Sequence, residues 1–395
     1  MIVALALAAD LRTLQIGDYS ETRLRVDSGP IVGVDATTAP FATLAMAAPR
    51  WRLSLSYQPY VGVTDIEAPK PEAIYYNSGV FNAAWWNRTV SLGVSETATY
   101  GKLNTSSLLS QQAAPGMAQQ VNNGIPIGEV SYAGSISSAN VTYTPTRYWT
   151  FDARGGYSAY GGLTQTDRAV LAFQRGPTAD LQVTHSFTPE DAAFVRLDGT
   201  RTETLVGPCF GEETIIAGDC APDSYIASAI VGVRRAMSPT TQLSIGGGAG
   251  LVRARLNPDI IYHTTYYPVL AASYEYRFVR EEHRVVFRAD ADIAPFVDTR
   301  TGAVDDRAQL TGTGTWILGK YTASGYFGVA QTIEKVEIQP TTIVFATARL
   351  DDHLTRNVML TLSLSYFFQH QDGVDDISSA IAEAGITVMT SPWRF

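Results

Sequence analysis

Charged side chains spaced two apart along alternating stretches are the main chemistry-bearing feature of this sequence. Arg284, Arg288, Asp290 and Asp292 share one phase of a run whose other phase is Val285, Phe287, Ala289, Ala291 and Ile293. The same phase rule collects Arg52, Asp152, Arg154, Arg196, Asp198, Glu275 and Arg277. Arginines and carboxylates gathered opposite an apolar face suit a water-filled conduit with fixed charges on its wall, or an internal salt-bridge network. Both signs are present, so the set predicts a transverse field rather than a simple cation or anion filter.

Catalytic groups are sparse. His283 and His353 stand beside Glu281, Glu282, Asp351 and Asp352 in short polar turns, where solvation accounts for them. His370 with Asp372 is the one candidate acid–base pair, and it would make an enzyme of an outer rim. Asp372, Asp375 and Asp376, like Asp305 and Asp306, offer oxygen ligands without a defined calcium-loop spacing. Phosphate loops, zinc spacings and nucleophile elbows are absent, and the glycines at 246–250 follow Leu243 and Ile245 inside a strand pattern, where they ease curvature. No catalytic residue, metal or cofactor is therefore assigned. Cys209 and Cys220 flank one short loop and predict a disulfide made in an oxidising compartment.

The elements that must hold these side chains are strands. Val358, Leu360, Leu362, Leu364, Tyr366 and Phe368 alternate with Thr361, Ser363 and Ser365, and helical periodicity is missing from the chain. Charged residues are only 17% of the 395, against roughly 25% in soluble domains, while hydrophobic residues are 45%. Mean hydropathy is -0.00, as expected when apolar and polar residues alternate. No apolar run approaches the ~20 residues of a membrane-spanning helix. A net charge of -9 with no basic stripe argues against nucleic acid.

Short turns recur before new strands: Ala48-Pro49-Arg50-Trp51, Thr144-Pro145-Thr146-Arg147, Thr188-Pro189-Glu190-Asp191 and Ser238-Pro239-Thr240-Thr241. The connections between them are longer and more variable. Short turns at one rim and long loops at the other are the pattern of outer-membrane barrels. Trp51, Trp85, Trp86, Trp149, Trp316 and Trp393 all lie near short turns or the C-terminus, as an aromatic girdle at one membrane interface would require. Tyr57, Tyr60, Tyr75, Tyr76, Tyr100, Tyr157, Tyr160, Tyr225, Tyr266 and Tyr267 gather at the long-loop ends and predict the opposite girdle.

The chain closes on Gly385-Ile386-Thr387-Val388-Met389, with Trp393 and Phe395 on one face. This segment resembles the C-terminal strand of bacterial outer-membrane β-barrel proteins, a resemblance that implies recognition by the barrel-assembly machinery. The expected fold is all-β, a transmembrane antiparallel up-and-down barrel of about 18 strands, or about 16 if the stretch 22–47 contributes an irregular segment. Residues 1–9 read as a signal-peptide remnant, 10–19 as a periplasmic N-terminal segment and 20–395 as the barrel.

The function this predicts is a passive, porin-like outer-membrane channel for hydrophilic material. Its sharper form is an export porin similar in size to polysaccharide-secretion porins, for which the amide-rich stretch 102–126 offers groups suited to sugar hydroxyls. Expected partners are outer-membrane lipid, the assembly machinery, a periplasmic export partner and carbohydrate cargo. The rival readings are a closed structural or adhesive barrel and a rim enzyme.

Overall fold

The computed structural model describes residues 11–27, 32–64, 72–104, 129–205, 208–210, 215–219, 223–255, 263–280, 282–297, 304–333, 341–371 and 376–394. The strands in chain order are β1 (Leu11–Asp27), β2 (Val32–Ala48), β3 (Trp51–Thr64), β4 (Glu72–Trp86), β5 (Val90–Asn104), β6 (Glu129–Tyr143) and β7 (Trp149–Gly162). After helix α1 (Gln165–Val170) come β8 (Phe173–Ser186), β9 (Asp191–Leu205), and the small hairpin β10 (Pro208–Phe210) and β11 (Ile215–Asp219). The wall continues with β12 (Asp223–Ser238), β13 (Thr241–Arg255), β14 (His263–Arg280), β15 (His283–Val297) and β16 (Val304–Leu318). It ends with β17 (Tyr321–Thr332), β18 (Thr341–His353), β19 (Val358–Gln371), β20 (Ile377–Met389) and the short β21 (Trp393–Arg394).

Every long strand pairs antiparallel with its neighbours, and β1 pairs with both β2 and β20, so 18 strands close on themselves. Closure leaves no unpaired edge in a bilayer, which is why a chain without long apolar helices can span one. The wall begins at Leu11, so most of the stretch expected as a periplasmic segment is barrel strand. Residues 1–9, expected as the signal remnant, lie outside the described residues.

Register fixes which side chains share a face. Val285, Phe287, Ala289 and Ala291 lie level with Phe278, Tyr276, Tyr274 and Ala272, and form part of an outward apolar surface. Leu197, Val231, Leu270, Val329 and Leu364 are exposed on that outer face, the apolar surface a barrel turns to lipid. Among the described residues, carboxylates stand within it at Asp18 and Glu96. On β1 and β2, Asp18 accepts from Ser20 at 2.8 Å and from Thr38 at 2.9 Å. On β5 and β6, Glu96 accepts from Ser135 at 2.6 Å and from Ser137. Between β2 and β3 the ladder omits residues 39–41, where Pro40 stands across from Pro59 and neither ring nitrogen can donate.

Candidate functional site

The inward phase builds the lumen. Arg288 lies level with Glu275 on one side and Thr313 on the other, Asp290 with Ser273 and Thr311, and Asp292 with Ala271 and Gln309. All eleven charged residues singled out in the sequence fall on this inward phase, because register joins Arg52 to Ser54 and Ser56 on the β3 face and Asp152 and Arg154 to Thr142 and Asn140. Many of the acids and bases meet within one strand. Arg288 binds Asp290 at 2.7 Å, Arg277 binds Glu275 at 2.8 Å and Arg349 binds Asp351 at 2.9 Å. Arg196 reaches Asp180 at 2.5 Å and Asp198 at 3.7 Å. The i, i+2 spacing of a strand puts such partners side by side, so much of the wall carries compensated charge.

Hydroxyls and amides complete the compensation. Thr142 donates to Asp152 at 2.7 Å, Ser228 to Asp198 at 2.9 Å and Gln309 to Asp292 at 3.0 Å. Among the described residues, Arg52, Arg154, Arg234 and Arg284 make no ion pair. They sit in the lower part of the lumen, toward the short turns.

Toward the long-loop rim the lumen turns apolar. Tyr76, Val130, Tyr132, Tyr160, Leu171, Ile343 and Phe367 form one buried cluster, with Tyr60, Ile136, Phe345 and Ile377 packed against it. Its members come from β3, β4, β6 and β7 on one side and β18, β19 and β20 on the other, with β1 and β2 between them. The cluster therefore runs as a chord across the barrel. Tyr60 and Tyr76 stack with ring centroids 4.2 Å apart. Gly101 lies level with Tyr76 and Tyr132, its φ is +153°, and a Cβ there would stand 2.7 Å from that of Tyr76. Glycine is what lets two tyrosines share this level.

Leu171 enters the cluster from a connection that folds back over the β6 and β7 ends. Thr164 caps α1 in a reciprocal capping box with Asp167. Asp167 also accepts from the Ser131 backbone N–H at 3.0 Å, and Leu163 N–H donates to the Ser131 carbonyl at 2.9 Å, which ties the connection to β6. Burial pushes the Asp167 carboxyl up, but the Thr164 hydroxyl, the Ser131 and Thr164 amides and Lys102 outweigh it and hold the group below its ordinary value.

The tyrosines expected as a single girdle divide by phase. Tyr57, Tyr75, Tyr100, Tyr157 and Tyr266 face outward and are exposed, whereas Tyr76, Tyr160 and Tyr267 face inward and are buried. Adjacent aromatics on a strand must point to opposite faces, so the pairs Tyr75-Tyr76 and Tyr266-Tyr267 carried this signal, as did the run Tyr366-Phe367-Phe368. Trp51, Trp85, Trp149, Trp316 and Trp393 take the outward phase near the short turns. Trp86 follows Trp85 and takes the inward phase at the same rim.

His370 pairs with Asp376 at 2.6 Å, and Asp372, its expected partner, lies outside the described residues. Cys220 and Phe395 also lie outside them, as does most of the amide-rich stretch. Cys209 sits on β10, level with Ile216 of β11.

Two cavities open at the short-turn rim. One of about 760 Å³ is lined by Arg52, Ser54, Asn82, Trp86, Ser91, Ser95 and Asn140 among others. The second, about 620 Å³, is lined by Pro49, Arg50, Trp86, Asn87, Arg88 and Thr89. Trp86 is common to both.

In architecture the chain is similar to Pseudomonas aeruginosa OccK5 (OpdH), at 9% identity and a TM-score of 0.44, covering 96% of this chain and 98% of that one. It is similar to Acinetobacter baumannii OccAB3 at 7% identity and a TM-score of 0.44, covering 97% and 99%. Against the CymD monoaromatic hydrocarbon channel the identity is 13% and the TM-score 0.31, covering 96% and 88%. No curated protein sequence matches the chain. Residues 6–337 match a sequence family, EpsX, described as an exopolysaccharide export family. With most of its length matched and a closed 18-strand barrel to carry it, the chain is an outer-membrane channel that belongs to the EpsX exopolysaccharide export family.

Proposed function

We propose that this channel exports a polysaccharide through its lumen and that the apolar cluster across the long-loop half is its closed gate. The cluster itself carries the reading. A diffusion pore that stands open gains nothing from a packed aromatic seal, whereas an exporter idle between polymer chains must hold small solutes back. Hydrophobic constrictions close by excluding water, and they open when the packed groups separate. Below the seal, compensated charges, hydroxyls and amides offer a hydroxylated chain many weak contacts and no deep trap.

The remaining roles follow from position. The eleven inward charges line water once the seal opens. The outward tryptophans anchor the periplasmic interface, and Trp393 with Phe395 serves as the assembly signal read by the barrel-assembly machinery. Cys209 and Cys220 close the β10–β11 hairpin as a disulfide. A periplasmic export partner hands the polymer to the short-turn mouth. The chain performs no catalysis, and the His370–Asp376 pair ties the end of β19 to the start of β20.

The test is single-channel recording of the purified barrel in a planar bilayer, with oligosaccharides as blockers, beside deletion of the gene in cells. The reading requires a low resting conductance, a large one when the cluster is disrupted, and block of that conductance by sugars. In cells it requires loss of surface polysaccharide with unchanged small-solute uptake. A disrupted cluster that still conducts nothing would sink the gate.

A further inference from the structure

We infer that the periplasmic mouth carries a docking site for an acidic glycan, built around Trp86 and the arginines Arg50, Arg52 and Arg88. This deepens the export reading and rests on it for the direction of traffic.

The observation is the convergence of two cavities on one tryptophan. Trp86 is on the inward phase, 37% exposed, and lines both the cavity under the β2–β3 and β4–β5 turns and the one that continues up the lumen wall. Its place at the rim gives it no lipid to face, unlike Trp85 beside it. Arg50 and Arg88 line the lower cavity and Arg52 the upper one. Among the described residues none of the three arginines makes an ion pair, and neither cavity is lined by an acid.

Higher in the lumen Arg196, Arg277, Arg288 and Arg349 are each paired with a carboxylate. Here three unpaired arginines gather around one tryptophan. Asn82 and Asn140 add amides able to donate to and accept from sugar hydroxyls, and Asn87, whose Oδ1 accepts from the Thr89 and Val90 amides, adds an NH2 donor.

An exposed indole face stacks on the apolar face of a pyranose. Uncompensated guanidiniums take carboxylates in paired hydrogen bonds, which a neutral sugar cannot offer. Together they fit a uronic acid or another carboxylated sugar unit. Above this mouth arginines are paired with acids, Arg196 with Asp180 and Asp198 and Arg288 with Asp290, so the bound segment is held at entry and is not held further up. A conduit that captures at its mouth and releases beyond it satisfies the requirement that cargo both enter and leave.

The experiment is equilibrium binding to the full barrel in detergent micelles. The probes are an oligogalacturonate and a neutral malto-oligosaccharide of equal length. The acidic probe should bind at least about tenfold more tightly and weaken as salt is raised. Arg50→Gln, Arg52→Gln and Arg88→Gln should each weaken it about three- to tenfold, and Trp86→Leu by a similar factor. Malto-oligosaccharide binding should ignore the arginine changes and respond to Trp86→Leu.

Arg234→Gln is the control for non-specific charge, because this unpaired arginine sits on β12, neither of whose neighbours β9 and β13 lines a cavity, and it should leave affinity unchanged. Equal binding of the two probes, or acidic-probe binding indifferent to all three arginine variants, would overturn the inference and leave the channel reading intact. Acidic-probe binding as described, in a barrel whose cluster variants never conduct, would sink the export gate while the docking site stands.

Discussion

Replacing Leu171 by alanine should loosen the gate without dismantling the barrel. Leu171 is 2% exposed, sits in the cross-lumen cluster, and belongs to a connection, not to a strand. Truncating a fully buried leucine costs about 2–5 kcal/mol, and the lower end applies where surroundings can relax, as a loop can. About 2–3 kcal/mol taken from the docked state alone shifts the docked-to-undocked ratio about 30- to 150-fold, at 1.4 kcal/mol per decade.

In single-channel records the open probability should therefore rise by more than tenfold, while the folded fraction in vesicles stays that of the native chain. Leu171→Met keeps the volume and should stay near the native record, since such swaps usually cost less than about 1.5 kcal/mol. A Leu171→Ala barrel that folds normally and opens no more often would refute the idea that this connection's docking holds the lumen shut.

Gly101→Val should prevent the seal from packing, because its side chain must enter the level of Tyr76 and Tyr132 from a φ of +153°; a leaky barrel of native strand content by circular dichroism is expected, and a tight one would count against the cluster. Glu96→Leu should stabilise the barrel in lipid vesicles by about 1–2 kcal/mol in denaturant titrations, since a carboxylate on the lipid face is costly and the hydroxyls of Ser135 and Ser137 can turn to backbone carbonyls; a loss of stability would mean those two bonds outweigh the burial. The Asp167 group has a lowered pKa, so its contribution to holding α1 and β6 together is full above the ordinary carboxylate range and lost as pH falls through it, below about pH 4; the protection factors of the Ser131 and Thr164 amides, taken against an unstructured chain at the same pH, should fall there and hold constant between pH 5 and 8. Alkylation of the unreduced chain should leave Cys209 and Cys220 unmodified, and both should react after reduction.

The wall was legible because a strand's period of two writes both faces into the sequence. Arg284 through Ile293 could be assigned to lumen and lipid from alternation alone, and the strand count followed from the turns. The apolar cluster across the lumen was not legible in the same way. Phe367, Tyr132 and Ile343 are apolar residues on the polar phase, and alternation read along a single strand treats such residues as noise. Only closure shows that they converge from walls far apart in the chain. Leu171 carried even less signal, since a leucine after a six-residue helix says nothing of what it covers. Trp86 was visible as a tryptophan near a turn, yet its side depended on Trp85 preceding it, and composition could not separate the two.

Closure through β1 and β20 has a kinetic meaning. Asp18 lies level with Val388, so the last pairing to form joins the two most distant parts of the chain. Neighbouring hairpins each close over a few residues, but this seam must bring together ends separated by nearly the whole sequence, at a corresponding entropic cost. Until β20 is in place, β1 and β19 each present a row of unpaired amides and carbonyls, the template on which sheets aggregate. The protein is thus most vulnerable just before it is complete. A lesion in β20 should appear as trapped periplasmic aggregate and only then as a defect in transport.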